Sequence, residues 1–114
     1  MIEVGEYIRT KNGSIGKINK IEQMSTGGNY YVILNNKGEI DVLEQGIKAH
    51  SKNIIDLIEY GDILEIFVNG NEIDRVVAYG DILQAIKQGD LIAEDIKTIL
   101  THELYEQNSY KVVK

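Results

Sequence analysis

The chain has 114 residues, 43% of them apolar, with a formal net charge of −6 and neither Cys, Pro nor Trp. That length suits one domain, or two very small units sharing a core, and the absence of Cys excludes a disulfide framework and thiol chemistry. The charge is uneven: residues 1–52 carry seven Lys/Arg and six Asp/Glu, whereas residues 53–114 carry five and twelve, so the second half repels phosphates and reads either as a solvated face that keeps a small protein soluble, the preferred reading, or as a match for a basic partner surface.

In chain order, residues 4–11 predict a strand, Asn12-Gly13 a tight hairpin with both turn positions at positive φ, and residues 14–21 the returning strand. Ile15, Ile18 and Ile21 are spaced by three rather than two, and Gly16 is the candidate bulge that resets their facing. Residues 25–29 form a polar, glycine-bearing loop. Residues 30–34 are a continuous apolar run, as in a strand buried on both faces. Residues 35–38 turn the chain into a partner strand over 39–43. Ser51 is placed to cap a short helical turn reaching Leu57, with Ile54, Ile55 and Ile58 inward. Residues 62–68 and 72–78 flank Asn69-Gly70 as a second hairpin.

The last third has two readings. Asp81-x-x-Gln84 resembles a capping box and Gly89 a helix stop, and Ile92, Ile96, Ile99 and Leu100 fit helical spacing. Residues 96–100 equally fit a strand, with Thr101 capping a short helix over 102–107 and a closing strand over 110–113; this second reading is preferred. A repeated phrase organises the whole. Tyr60-Gly61-Asp62-Ile63-Leu64 recurs as Tyr79-Gly80-Asp81-Ile82-Leu83, and Val4-Gly5-Glu6-Tyr7-Ile8 is a looser copy. The expected fold class is mainly β, or β-rich α+β. It is a single domain with a barrel-like unit over about residues 1–58, and a second hairpin with C-terminal elements over about 59–114.

Val4, Gly5, Tyr7, Ile8, Arg9, Gly13, Ile15, Gly16, Lys17 and Ile18 together resemble a KOW-type segment of a small Src-homology-3-like barrel. Such segments bind RNA in some families and proteins in others. The segments VGEYIRTKNGSIGKI, HSKNIIDLIEYGD and EDIKTILTHELYEQNSYKV resemble a family of small proteins carried by phages and prophages of Firmicutes. That resemblance implies kinship with no catalytic residues to transfer. Usage rich in Ile, Lys, Asn and Glu, with only two Arg, fits the AT-rich codons of a low-GC bacterium or its phage.

No motif for chemistry emerges. His102 and Glu106 share a helix face, but with His50 as the third candidate they read as an i,i+4 surface pair, and no metal site is expected. The acidic pairs Glu59/Asp62, Glu72/Asp74 and Glu94/Asp95 read as solvated edges, and Gly27-Gly28 lacks the Lys of a phosphate loop. Neither enzymatic activity nor a cofactor is expected. No run approaches the roughly 18 apolar residues of a membrane helix, and no basic, apolar leader opens the chain, so the expected location is the host bacterial cytoplasm, with no membrane partner.

Three functions fit. The first is a phage-encoded accessory protein that binds and inhibits a host protein, such as an antiviral-defence component in the manner of an anti-CRISPR protein. It would use an acidic surface of Glu59, Asp62, Glu65, Glu72 and Asp74 against a basic nucleic-acid-binding effector. The second is a KOW-like nucleic-acid module using Tyr7, Arg9, Lys11, Lys17 and Lys20. The third is a phage structural or oligomerisation protein pairing through strand edges.

Overall fold

The computed structural model describes residues 1–109. Strands β1 (Tyr7–Thr10), β2 (Ile15–Gln23), β3 (Asn29–Asn35), β4 (Gly38–Leu43) and β5 (Ile47–Ser51) form a five-stranded antiparallel sheet in the order β4-β3-β2-β1-β5. Strands β6 (Ile63–Val68), β7 (Glu72–Val77) and β8 (Ile96–Leu100) form a three-stranded antiparallel sheet in the order β7-β6-β8. Helices α1 (Gly80–Gln88) and α2 (His102–Asn108) complete a β-rich α+β fold, the class expected from the sequence. The chain divides into two compact units, Met1–Leu57 and Ile58–Lys114. Among the described residues, no helix is long and apolar enough to cross a membrane.

In the first unit the β1–β2 connection is a three-residue loop. The Gly13 N–H donates to Thr10 O at 3.0 Å, and the Thr10 N–H donates to Ser14 O at 2.8 Å. Gly13 takes the left-handed conformation at φ 96°, while Asn12 does not, so one positive φ suffices where two were expected. The expected bulge exists, but not at Gly16. The β2–β3 register slips between Ile18 and Lys20, making Asn19 the extra residue. Ile18 pairs with Ile33 and Ile21 with Tyr31, so side chains three apart share one face. Gly16 serves close approach instead: a Cβ there would lie 2.8 Å from Leu34 O and 3.0 Å from an Ile33 methyl.

Ile8, Ile18, Tyr31, Ile33 and Val42 form the buried core, with Ile2, Ile21, Ile40 and Ile47 packed against it. Each fully buried Ile contributes about 1.5–3 kcal/mol of transfer free energy, which makes this cluster the unit's main stabilising term. The run over 30–34 is buried at Tyr31, Val32 and Ile33 and opens to solvent at Leu34. Strand β5 was not legible in the sequence, because Ile-Lys-Ala-His-Ser is short and mixed; pairing with β1 makes it a strand. Ser51 ends β5 and also helps hold the following 3-10 turn (Ile54–Leu57), its Oγ accepting from the Asn53 N–H at 3.1 Å and donating to Asp56 Oδ2 at 2.6 Å. Asn53 holds that turn, its Oδ1 accepting from the Ile55 N–H at 3.3 Å and its carbonyl from the Asp56 N–H at 3.0 Å.

In the second unit Asn69 and Gly70 both adopt positive φ, 49° and 87°, between β6 and β7. Helix α1 begins one residue before Asp81, with Tyr79 at the N-cap, so the expected capping box does not form. Gly89 stops it in the left-handed conformation, its N–H directed to the Ala85 and Ile86 carbonyls. Residues 96–100 form the preferred strand, followed directly by α2. The strand expected over 110–113 lies outside the described residues.

Gly16→Ala is expected to destabilise the protein by about 1–3 kcal/mol, because the facing backbone carbonyl cannot move away without breaking the ladder. Gly80→Ala, with nothing within 4 Å and an ordinary helical φ, is expected to stabilise by about 0.4–1 kcal/mol. Paired denaturant titrations of the two variants check both signs.

Candidate functional site

Each sheet opens with the same short-range device, built on a carboxylate that follows a left-handed glycine. In the first unit Gly5 has φ 94° and Glu6 is 6% exposed. The Glu6 N–H donates to Glu3 O, and the Glu3 N–H donates back to Glu6 Oε2 at 2.5 Å. In the second unit Gly61 has φ 92° and Asp62 is fully buried. The Asp62 N–H donates to Glu59 O, and the Glu59 N–H donates back to Asp62 Oδ2 at 2.7 Å. The glycine N–H then donates to the returning strand in both cases, Gly5 to Ile18 O and Gly61 to Ala78 O. Ile18 and Ala78 donate back to the carbonyls of Glu6 and Asp62.

A histidine completes each device from the third strand. His50 lies on β5, with Nδ1 2.8 Å from Glu6 Oε1. That bond, followed by the Glu3 N–H, holds the Glu6 carboxyl below its ordinary value, with burial working in the opposite sense. In the second unit the histidine stands just after β8. The His102 backbone N–H, one of the unpaired donors at the start of α2, donates to Asp62 Oδ1 at 2.9 Å. Its ring Nε2 lies 3.0 Å from Glu59 Oε1 and 3.4 Å from Glu103 Oε1, and its Nδ1 lies 3.7 Å from Glu106 Oε1. One imidazole thus faces three carboxylates from two segments of the chain.

The expected partner-binding residues do not form one surface. Asp62 is buried and spends both oxygens on backbone N–H groups, so it presents nothing to a partner. Glu59 is engaged with His102. Glu65, Glu72 and Asp74 lie on the β6–β7 hairpin, but on opposite faces. Glu65 is directly across from Arg75 and accepts from Thr98 Oγ1 at 2.7 Å, whereas Asp74 is across from Ile66 and Glu72 from Val68. The face that carries Glu65 also carries Phe67 opposite Ile73, 40% and 43% exposed.

The basic residues are likewise dispersed. Arg9 is fully buried, its Nη1 donating to Leu57 O at 2.9 Å, so it anchors the 3-10 turn to β1 and cannot meet a phosphate. Lys17 reaches over the Tyr7 ring at 5.7 Å, and Lys20 pairs with Glu22 at 2.7 Å, which raises the lysine's affinity for its proton. The strand registers place Lys17 and Lys20 on one face with Glu22, Glu39 and Asp41, and Lys11 is exposed in the β1–β2 loop. This is a mixed-charge face, not a basic one. Sequence reasoning missed Glu103 altogether and paired His102 with His50, which instead binds Glu6; only the i,i+4 spacing to Glu106 was readable.

No family model, curated protein or solved structure matches the chain.

Because its folded proton affinity lies below the ordinary 4.5, Glu6 contributes stability that is present above that value and lost as pH falls through the lower folded value. Glu6→Gln is therefore expected to flatten the acid limb of the stability–pH curve, measured by urea titration between neutral and acid pH. Asp62→Ala is expected to cost about 3 kcal/mol or more, since two backbone N–H groups lose a charged acceptor in a buried place.

Proposed function

We propose that this chain is a phage- or prophage-encoded accessory protein that acts without catalysis, by binding a host protein and inhibiting it. The observation that carries the reading is the β6–β7 hairpin. Strand β7 lies at the end of its sheet, pairs with β6 alone among the described residues, and is exposed from Glu72 to Arg75. A strand edge of this kind accepts another chain's strand through backbone hydrogen bonds, while alternate side chains on the two faces select the partner. Here one face carries Phe67 and Ile73 together with Glu65 and Arg75, and the other carries Glu72 and Asp74 opposite Val68 and Ile66. A segment alternating basic and apolar residues matches both. The acidic contribution to binding therefore narrows from five residues to Glu72 and Asp74, with Glu65 beside the apolar pair. The resemblance to small phage proteins and the acidic second half support the same reading. A basic nucleic-acid-binding effector of an antiviral defence, as in anti-CRISPR inhibition, is the partner class that this chemistry favours.

Tagged protein incubated with nuclease-treated host lysate is expected to retain one stoichiometric host protein. The triple variant Phe67→Asp, Glu72→Lys, Asp74→Lys is expected to weaken that retention by about a hundredfold, as the loss of an interface centre does, with its thermal melt nearly unchanged. Undiminished retention by the triple variant removes the hairpin mechanism, and a partner lost on nuclease treatment points to nucleic acid instead.

A further inference from the structure

We infer that Glu59, His102 and Glu103 form a binding site for a divalent transition cation of the zinc type, independent of the hairpin surface. One ligand atom from each residue lies within 4.8 Å of the others. Zinc–nitrogen and zinc–oxygen bonds of about 2.0–2.2 Å in a tetrahedron separate neighbouring ligand atoms by about 3.3–3.5 Å. His102 Nε2 stands 3.0 Å from Glu59 Oε1 and 3.4 Å from Glu103 Oε1. These two separations are within a few tenths of an ångström of that spacing, and the two carboxylate oxygens lie within 4.8 Å of each other.

The donor set fits such an ion. Three carboxylates surround one imidazole, and His102 Nε2 meets Glu59 Oε1 at hydrogen-bond distance, 3.0 Å. A cation bound at Nε2 would displace the proton shared there and take the same two groups as ligands. The side chains of Glu59, His102 and Glu103 are 30%, 27% and 12% exposed, sheltered yet within reach of an entering ion.

The ligands are also held from behind. Asp62 accepts from the backbone N–H of Glu59 through one oxygen and from that of His102 through the other. One buried carboxylate thus fixes the separation of two ligand residues that are far apart in sequence. Asp62 is a positioning residue here and touches no ion. One nitrogen and two oxygens rank zinc above manganese or magnesium by affinity.

The test uses the full chain, stripped with a chelator and titrated with ZnCl₂ by calorimetry, alongside histidine-selective NMR. One zinc ion per chain is expected, with the ring resonances of His102 shifting and those of His50 unmoved. Glu103→Gln and His102→Gln are each expected to weaken binding by about tenfold or more, and His50→Gln is expected to leave it unchanged, all three checked for folding by circular dichroism. Glu103→Gln keeps the His102–Glu59 contact, so it remains informative if His102→Gln fails to fold. Absence of saturable binding overturns the site, as does undiminished binding by Glu103→Gln or a zinc-induced shift at His50 in place of His102.

Discussion

A buried carboxylate behind a left-handed glycine sets where each sheet begins. Glu6 and Asp62 each return a side-chain oxygen to the backbone N–H three residues earlier, closing a turn that a Cβ at Gly5 or Gly61 would strain. The remaining oxygen reaches the segment that ends the unit, through the His50 ring in one case and the His102 backbone in the other. A carboxylate accepting charge-assisted bonds inside a protein contributes more than a neutral pair, and leaving one partner unmatched costs more still. Turn, first strand and later strand are thereby tied at one point in each unit.

That shared device makes the two units variations on one plan. Each has a first strand, β1 or β6, with its hairpin partner on one side and a later antiparallel strand on the other. They differ in what is inserted before the later strand. The first unit adds β3 and β4, enlarging the sheet and its apolar core, and the second inserts α1. Among the described residues the larger buried apolar cluster is in the first unit.

The distribution of charge follows from register more than from composition. A bulge at Asn19 sends Lys17 and Lys20 to the same face, where β2 itself supplies Glu22 and β4, beyond β3, supplies Glu39 and Asp41. The basic bias of the first half is thus cancelled locally. In the second half, Asp62 is consumed by folding and Glu59 by His102, and what remains on the hairpin is divided between two faces. Both faces of the hairpin mix charged and apolar side chains, so the acidic residues of the second half do not form a continuous acidic surface there.

Hairpins were readable because their signals are local: Asn69-Gly70 needs nothing beyond its own backbone preferences, and alternation over 39–43 states which side is buried. The β-rich class, strand 96–100 and the short helix after it were legible for the same reason. The repeat was legible as letters but not as structure. Tyr60-Gly61-Asp62-Ile63-Leu64 leads into a strand with Asp62 fully buried, whereas the identical Tyr79-Gly80-Asp81-Ile82-Leu83 starts a helix with Asp81 in solvent. The first copy gains the local Glu59 N–H and two partners from farther along the chain, the Ala78 backbone and the His102 N–H. The same holds for Arg9, whose burial depends on a carbonyl 48 residues away, and for Glu59 and His102, which are brought together across 43 residues. Local backbone preference is written in neighbouring letters; which charged side chains are spent on the fold and which face solvent is decided by long-range pairing.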